Sequence, residues 1–499
     1  MNPRLSKTRF LAGRQCELRL WNDVYCRGLA TPWGETQQAI FDRGTRIGEL
    51  ARARYPGGVL VGHEPWEREA AVAETHALMN DASVPAIYEA ALEHEGLYVR
   101  VDVMMRNGSA WDLIEVKAST RPEKEVFLND IAVQYWTALG TGLTVSRAGV
   151  LVLNRGYIHG GGDYDLQRLF VFGDATEFCI RARSEVEADV QRFHTMLQAN
   201  EAPAIPVGEH CFSPYECPYY AHCSAGLKQP EYPVTSLHRL HHSRREALER
   251  NGIDEIAEIP DDFPLTAIQA RMRNAVLEGQ PWISPALPEA LASLESPAHF
   301  LDFEAFVPAL PPYPGTRPFD VIPFMYSVHR RDAAGELAHL EYLHEPNSDP
   351  RRAVAERLIE DLGETGSIVV YSFYERQVLN HLAAAFPGLA EPLQALIDRL
   401  WDLLPVVRHH YYHLKFHGSF SIKSVLPVLD PESGWSELDI ADGMTASMAY
   451  ENALETEDAE QRTAIFDQLR AYCRQDTLAM VRLYDALQRI TEGNGERYI

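Results

Sequence analysis

Acidic residues sit inside otherwise apolar, strand-like segments at three places in this 499-residue chain, and this pattern constrains the fold more than any other feature. Phe300-Leu-Asp302-Phe-Glu304-Ala-Phe306 alternates apolar residues with two acids. Residues two apart on a strand share a face, so Asp302 and Glu304 point the same way. Burying two like charges together is costly unless a cation sits between them. Val99-Arg-Val-Asp102-Val and Leu113-Ile-Glu115-Val-Lys117 repeat the theme, with an acid on one segment and an acid and a lysine sharing a face of the next. The chain is therefore expected to form sheets that gather carboxylates around positive charge.

A chain of this length exceeds one ordinary core, so two or three domains are expected. The first, residues 1–227, reads as a mixed α/β sheet. Helices are expected over 5–55, strands over 87–92, 98–106 and 111–118, a helix over 129–139 and a strand over 148–154. Asn107-Gly108 marks a hairpin turn. Residues 228–295 read as a helical linker, ending in proline-rich punctuation. Residues 296–499 read as a second α/β domain, with strands at 299–306, 324–330 and 367–372 and helices at 350–362, 375–384 and 463–488.

The net charge of −25 argues against non-specific nucleic-acid binding through overall charge. Local basic patches remain, one made of Arg4, Lys7, Arg9, Arg14, Arg19 and Arg27, another of Lys228, Arg239, Arg244, Arg245 and Arg250. No run of about 18 apolar residues is present, so no membrane span is expected. The basic start is followed by no apolar stretch, so no signal peptide is expected and the location expected is cytoplasmic.

Asp102 and Glu115 on adjacent strands could hold a divalent cation through hard oxygen ligands, with Glu89 on the preceding strand as a further ligand. Such a cation lowers the pKa of bound water and neutralises phosphate charge, and Lys117 can stabilise developing charge. Asp130 and Gln134, four apart, share a helix face. The plain alternative is a surface salt bridge between Glu115 and Lys117. The spacing resembles the PD-(D/E)xK nuclease superfamily in its RecB-like branch. That resemblance implies Mg²⁺ or Mn²⁺ at Glu89, Asp102 and Glu115, catalysis by Asp102, Glu115 and Lys117, and substrate contacts from Gln134 and Tyr135. Two features depart from the branch: Gly44-Thr-Arg-Ile-Gly48-Glu49 lacks its customary histidine, and Tyr135 directly follows Gln134.

Seven cysteines, an odd number in a chain expected to be cytosolic, argue against a disulfide framework. Cys211, Cys217 and Cys223 lie close together, and Cys16 stands alone near the start. One early cysteine plus three after the core resembles the iron–sulfur RecB-like nucleases, which implies a [4Fe–4S] cluster held by Cys16, Cys211, Cys217 and Cys223. The family spacing is Cys-x2-Cys-x5-Cys, whereas here both gaps are five residues. A structural zinc site, with His210 or His222, is the other reading. Cys26, Cys179 and Cys473 read as ordinary thiols.

Near the other end, Tyr472-Cys-Arg-Gln-Asp476 places a tyrosine and an aspartate one helical turn apart. Together with Asp302 and Glu304, and with Glu375 where a strand runs into a helix, this resembles the DEDD exonucleases of the ribonuclease H-like fold, in their tyrosine variant. The resemblance implies two Mg²⁺ or Mn²⁺ ions on Asp302, Glu304, Glu375 and Asp476, with Tyr472 orienting the attacking water. Asp402 competes with Glu375 for the middle position. Lys423, among small residues, is a candidate substrate contact. The interleaved His409, His410, Tyr411, Tyr412, His413, Phe416 and His417 read as a packing patch rather than as a base-stacking surface.

Nearly the whole chain resembles bacterial fusions that join an iron–sulfur RecB-like nuclease domain to a DEDD-type exonuclease domain. The resemblance implies metal-dependent hydrolysis of nucleic acid, DNA ahead of RNA and single-stranded ends above all, in repair, recombination or phage defence. Two other readings stay open. One is an RNA exonuclease using the second site alone, and the other is a nucleic-acid-binding scaffold with decayed sites. The sequence names no protein partner.

Overall fold

A computed structural model describes residues 5–199, 201–228, 230–435, 438–440 and 442–493, so Arg4 of the basic stretch lies outside the described residues. The chain divides into two compact units: Met1–Leu227 with Pro308–Asp320, and Lys228–Val307 with Val321–Ile499.

The first unit is built on seven strands, β1 (Leu5–Ser6), β2 (Val59–Leu60), β3 (Ala86–His94), β4 (Leu97–Asn107), β5 (Ala110–Lys117), β6 (Val145–Leu153) and β7 (Phe170–Asp174). They lie in the order β2-β3-β4-β5-β6-β7, with β1 beside β4. The β3-β4-β5 meander is antiparallel. Its first turn is Glu95-Gly96, with φ of 47° and 76°, and Gly108 at φ 62° makes the second. β6 then runs parallel to β5, which requires a crossover, supplied by the helix Glu125–Gly140. That helix is apolar on most sides because it packs between the sheet and the helix Thr176–Gln198, burying Phe127, Ile131, Val133 and Trp136. Alternation along the strands splits the core. Leu113 and Val150 face those two helices, while Ile114 and Leu151 face Ile47 and Ala51 of the helix Glu35–Ala53.

The second unit holds β8 (Trp282–Ile283), β9 (Ala298–Phe306), β10 (Ile322–Arg331), β11 (Leu337–Leu343), β12 (Ser367–Val370), β13 (Leu400–Asp402) and β14 (Tyr411–Tyr412). Five of them form a mixed sheet in the order β11-β10-β9-β12-β13, and β8 pairs with β14. β9, β10 and β11 are antiparallel, whereas β12 and β13 run parallel to β9. Leu301, Phe303, Ile368 and Val370 pack on one face, while Phe300 and Val369 pack on the other. The 33-residue helix Ala459–Thr491 covers the latter face with Met480, Leu483 and Leu487. Asp302 and Glu304 have the parity of Phe300, so they emerge under this helix.

Residues 228–295, read from sequence as a linker, fall within the second unit. Val234, Leu248, Ile256, Met272 and Leu287 share one core with Phe300 and Met480. Gly418, at φ 79°, shows how closely the segment is applied, since a Cβ there would collide with the Ser236 carbonyl oxygen. Among the described residues, no helix is long and apolar enough to cross a membrane.

Candidate metal centres

In the second unit four carboxylates converge from three elements. Asp302 and Glu304 project from β9, the middle strand of its sheet. Glu375 is the second residue of the helix Tyr374–Ala385, which starts just beyond β12, the parallel neighbour of β9. Ser372 braces this turn: its hydroxyl accepts from the Tyr374 amide at 3.0 Å and donates to Glu375 Oε2 at 3.3 Å. Asp476 descends from the helix Ala459–Thr491, one turn beyond Tyr472. Glu375 lies close enough to Asp302 for the two carboxyls to act on each other. Trp435 Nε1 donates to Asp476 Oδ1 at 2.6 Å, and Lys423 Nζ donates to the Tyr472 hydroxyl at 2.9 Å.

Positive charge is scarce here. Glu304 and Glu375 are buried. Burial, with Asp476, Glu304 and Glu375 nearby, holds Asp302 well above the usual carboxylate range. Burial and Asp476 do the same to Glu304 against the pull of Lys423. Glu375 is pushed up to about 7 and Asp476 to about 6, both chiefly by burial. Burial, with Asp476, Glu304 and Asp302 nearby, raises the Tyr472 phenol. Four oxygen-donor carboxylates that cannot all be ionised together without added positive charge are a donor set suited to hard divalent cations.

Asp402, the competing middle acid, is engaged elsewhere. It caps the helix Leu403–His410, accepting from the Leu404 amide at 3.0 Å. The geometry favours Glu375 for contact with Asp302. Tyr411, Tyr412 and Phe416 are buried, Tyr411 and Tyr412 within β14, as a packing patch requires.

The first unit handles its acids differently. Glu115 and Asp130 are buried and face two lysines. Lys117 Nζ lies 2.6 Å from both Glu115 Oε1 and Asp130 Oδ2. Lys7 Nζ lies 3.0 Å from both oxygens of Glu115 and from Asp130 Oδ1. Gln134 Nε2 donates to Glu115 Oε2 at 2.6 Å and to Asp130 Oδ1 at 3.1 Å. Burial pushes Asp130 up, but Lys7 and Lys117 outweigh it and hold the group below the usual range. Burial, with Asp102 and Asp130 close by, raises Glu115 to about 7. Burial would lower both ammonium groups, yet Glu115 and Asp130 leave them raised.

Asp102 accepts from the Val116 amide at 2.6 Å. Glu89 stands opposite Asp102, where the β3–β4 pairing breaks between Tyr88–Val103 and Ala90–Val101. It adopts φ 55°, a left-handed conformation that costs a non-glycine residue about 1–2 kcal/mol. Its carboxylate meets Arg52 at 3.4 Å. Tyr135 does not join this group. Its neighbours are Arg183, Cys179 and Glu177 on the helix Thr176–Gln198, because one residue beyond Gln134 turns the side chain by about 100° around a helix. The structure therefore does not bring Tyr135, an expected substrate contact, together with Glu115 and Gln134. Lys7 is the member of this cluster that the sequence placed only in a basic patch: nothing in its surroundings hints at an acid 108 residues away.

The helix Lys7–Gln15 carries Lys7 at one end and, at the other, Gln15, whose Nε2 donates to the His210 and Tyr215 carbonyls at 2.7 Å each. Cys16 caps this helix end. Its thiol and that of Cys211 act electrostatically on Cys217 and on Cys223, and all four are free thiols. Burial raises the Cys217 and Cys223 thiols. His210 Nε2 lies 3.7 Å from Cys211 Sγ.

Residues 299–421 match a family model described as a domain of unknown function, DUF2779. The match takes in Asp302, Glu304, Glu375 and Asp402 and stops before Lys423, Tyr472 and Asp476. No curated protein matches the chain.

Proposed function

We propose that this chain is a metal-dependent nuclease whose principal active site is Asp302, Glu304, Glu375, Asp476 and Tyr472. One observation carries the reading: four carboxylates are gathered at a largely buried point beneath one helix, with Lys423 as the cation acting on Glu304 and Asp476. A fold gains nothing from such an arrangement unless a divalent ion completes it. Asp302, Glu304, Glu375 and Asp476 would hold Mg²⁺ or Mn²⁺, which supplies an activated water and neutralises phosphate charge. Tyr472, its hydroxyl held by Lys423, would orient that water, and Lys423 would face the substrate phosphate. The mixed five-stranded sheet and the placement of these acids support the ribonuclease H-like, DEDD-type reading.

The first unit's mixed sheet, with Asp102, Glu115, Lys117 and Gln134 in one group, supports a RecB-like domain. Cys16, Cys211, Cys217 and Cys223 would hold a [4Fe–4S] cluster that ties the two ends of that domain, with zinc as the alternative. Because Lys7 and Lys117 already offset Glu115 and Asp130, a narrower version is favoured in which hydrolysis runs on the second site alone. RNA ends then compete with single-stranded DNA ends as substrate.

Labelled single- and double-stranded DNA and RNA, incubated with Mn²⁺ and wild-type protein, Asp302→Ala or Glu115→Ala, test the proposal. Cleavage lost in Asp302→Ala supports it. Wild type and both variants equally inert on every substrate would sink it.

A further inference from the structure

Cys473, set aside by sequence as an ordinary thiol, lies within the carboxylate cluster. It occupies the helix position next to Tyr472 and is fully buried. Its Sγ and one carboxylate oxygen each of Asp302 and Glu304 all lie within 4.8 Å of one another. The sulfur also lies 3.9 Å from the Asp302 carbonyl oxygen. Glu304 gives a second, independent indication. It is 5% exposed, and no hydrogen-bond or ion-pair partner meets its carboxylate among the described residues.

Metal–oxygen bonds of about 2.0–2.2 Å and metal–sulfur bonds of about 2.3 Å put neighbouring donors of a tetrahedral site roughly 3.5 Å apart, so small side-chain shifts from the present separation close the two carboxylate oxygens and the sulfur on one ion. Magnesium and manganese prefer all-oxygen donors, whereas a thiolate selects softer ions. We propose that Asp302, Glu304 and Cys473 form a mixed carboxylate–thiolate site for a thiophilic divalent cation, Zn²⁺ or Cd²⁺. Binding releases the thiol proton to solvent as the metal–sulfur bond forms. The site shares Asp302 and Glu304 with the proposed nuclease centre, so a thiophilic ion seated there blocks hydrolysis by displacing the hard cation. The inference rests on the reading that these two carboxylates face a cation.

The test is titration of the full-length protein with Cd²⁺, following the ultraviolet thiolate-to-cadmium charge-transfer absorbance, in wild type, Cys473→Ser and Glu304→Gln. The four clustered cysteines contribute equally to all three proteins and cancel in the differences. The expected result is one thiolate's absorbance lost in Cys473→Ser. Affinity for that increment should fall in Glu304→Gln by at least the roughly 10-fold that loss of even a supporting residue typically costs a metal site. Identical titrations in wild type and Cys473→Ser overturn the proposal. So does a loss confined to Cys473→Ser with Glu304→Gln unchanged, because the thiol would then bind cadmium without the carboxylates. Hydrolysis by wild type with Mn²⁺ is scored separately. An inert wild type that shows both cadmium effects upholds this site and removes the nuclease reading, whereas an active wild type lacking them does the reverse.

Discussion

In the first unit Glu115 and Asp130 are buried against Lys7 and Lys117, and Glu89 is matched by Arg52. In the second unit Asp302, Glu304, Glu375 and Asp476 gather with Lys423 as the cation acting on Glu304 and Asp476. Both clusters place acids on neighbouring strands and helices, and both raise at least one carboxylate to about 6–7 by burial. The difference lies in where compensating charge comes from. The first carries it in its own side chains and is a self-contained ion-pair network. The second has fewer cations of its own, which is why we propose that it holds divalent ions.

The largest expected effect separates the clusters by activity. Asp302→Asn should lower cleavage of the best substrate by about 10²–10³-fold or more, as loss of one group stabilising transition-state charge does, while Glu115→Gln retains most of it. Steady-state rates with Mn²⁺ check this, and equal losses would erase the contrast.

Next in size is stability. Removing one partner of a buried ion pair typically costs about 3–5 kcal/mol, so Lys7→Ala should destabilise the first unit by that order in urea unfolding followed by a probe within it. A change below about 1 kcal/mol would mean that the Lys7 contacts are solvated and the network is looser than its geometry.

The pH dependence sharpens the contrast. Glu375 and Asp476 are raised from ordinary values of 4.5 and 3.8 to about 7 and about 6. A carboxylate whose folded pKa is raised binds more protons when folded. Its contribution is therefore favourable at low pH and is lost as pH rises through the folded value. Cation-free protein should lose melting temperature between about pH 4 and 7, and Mn²⁺ should restore more of it at about pH 8 than at about pH 5. In the first cluster Glu115 and Asp102 are raised and Asp130 is lowered, so their contributions partly oppose one another. Repeating the series with Asp302→Asn assigns the effect, and an Mn²⁺ shift independent of pH would count against it.

The smallest effect has the opposite sign from most mutations. Glu304→Gln removes a buried carboxylate set among acids, with Lys423 acting against them, and should stabilise the cation-free second unit by roughly 1–3 kcal/mol in urea unfolding followed by a probe within that unit. Destabilisation would show that Glu304 holds the fold rather than a cation.

The carboxylates themselves were legible because strand alternation is local: Asp302 and Glu304, or Glu115 and Lys117, share a face whatever the rest of the chain does. The central strands were legible for the same reason, since they bury continuous apolar runs. β11 was not, because Leu337–Leu343 is a partly exposed strand at the sheet edge with a diluted apolar pattern, and β13 is only three residues long. Residues 228–295 read as a linker because their apolar residues are spread among short helices, and only the fold shows them sharing a core with Phe300 and Met480. Lys7 and Cys473 depend on tertiary contacts with acids more than a hundred residues away. Tyr135, one helical step beyond Gln134, points away from the cluster, which the sequence does not reveal. Glu375 and Asp402 both lie where a strand runs into a helix, and only the capping bond of Asp402 to Leu404 separates their roles.

Calorimetric titration with Mn²⁺ at about pH 8, above the values to which Glu375 and Asp476 are raised, tests the central claim most directly. It compares wild type, Asp476→Asn and Glu115→Gln. The account predicts Mn²⁺ binding in wild type and Glu115→Gln and its loss in Asp476→Asn. Binding that survives Asp476→Asn and disappears in Glu115→Gln would contradict it.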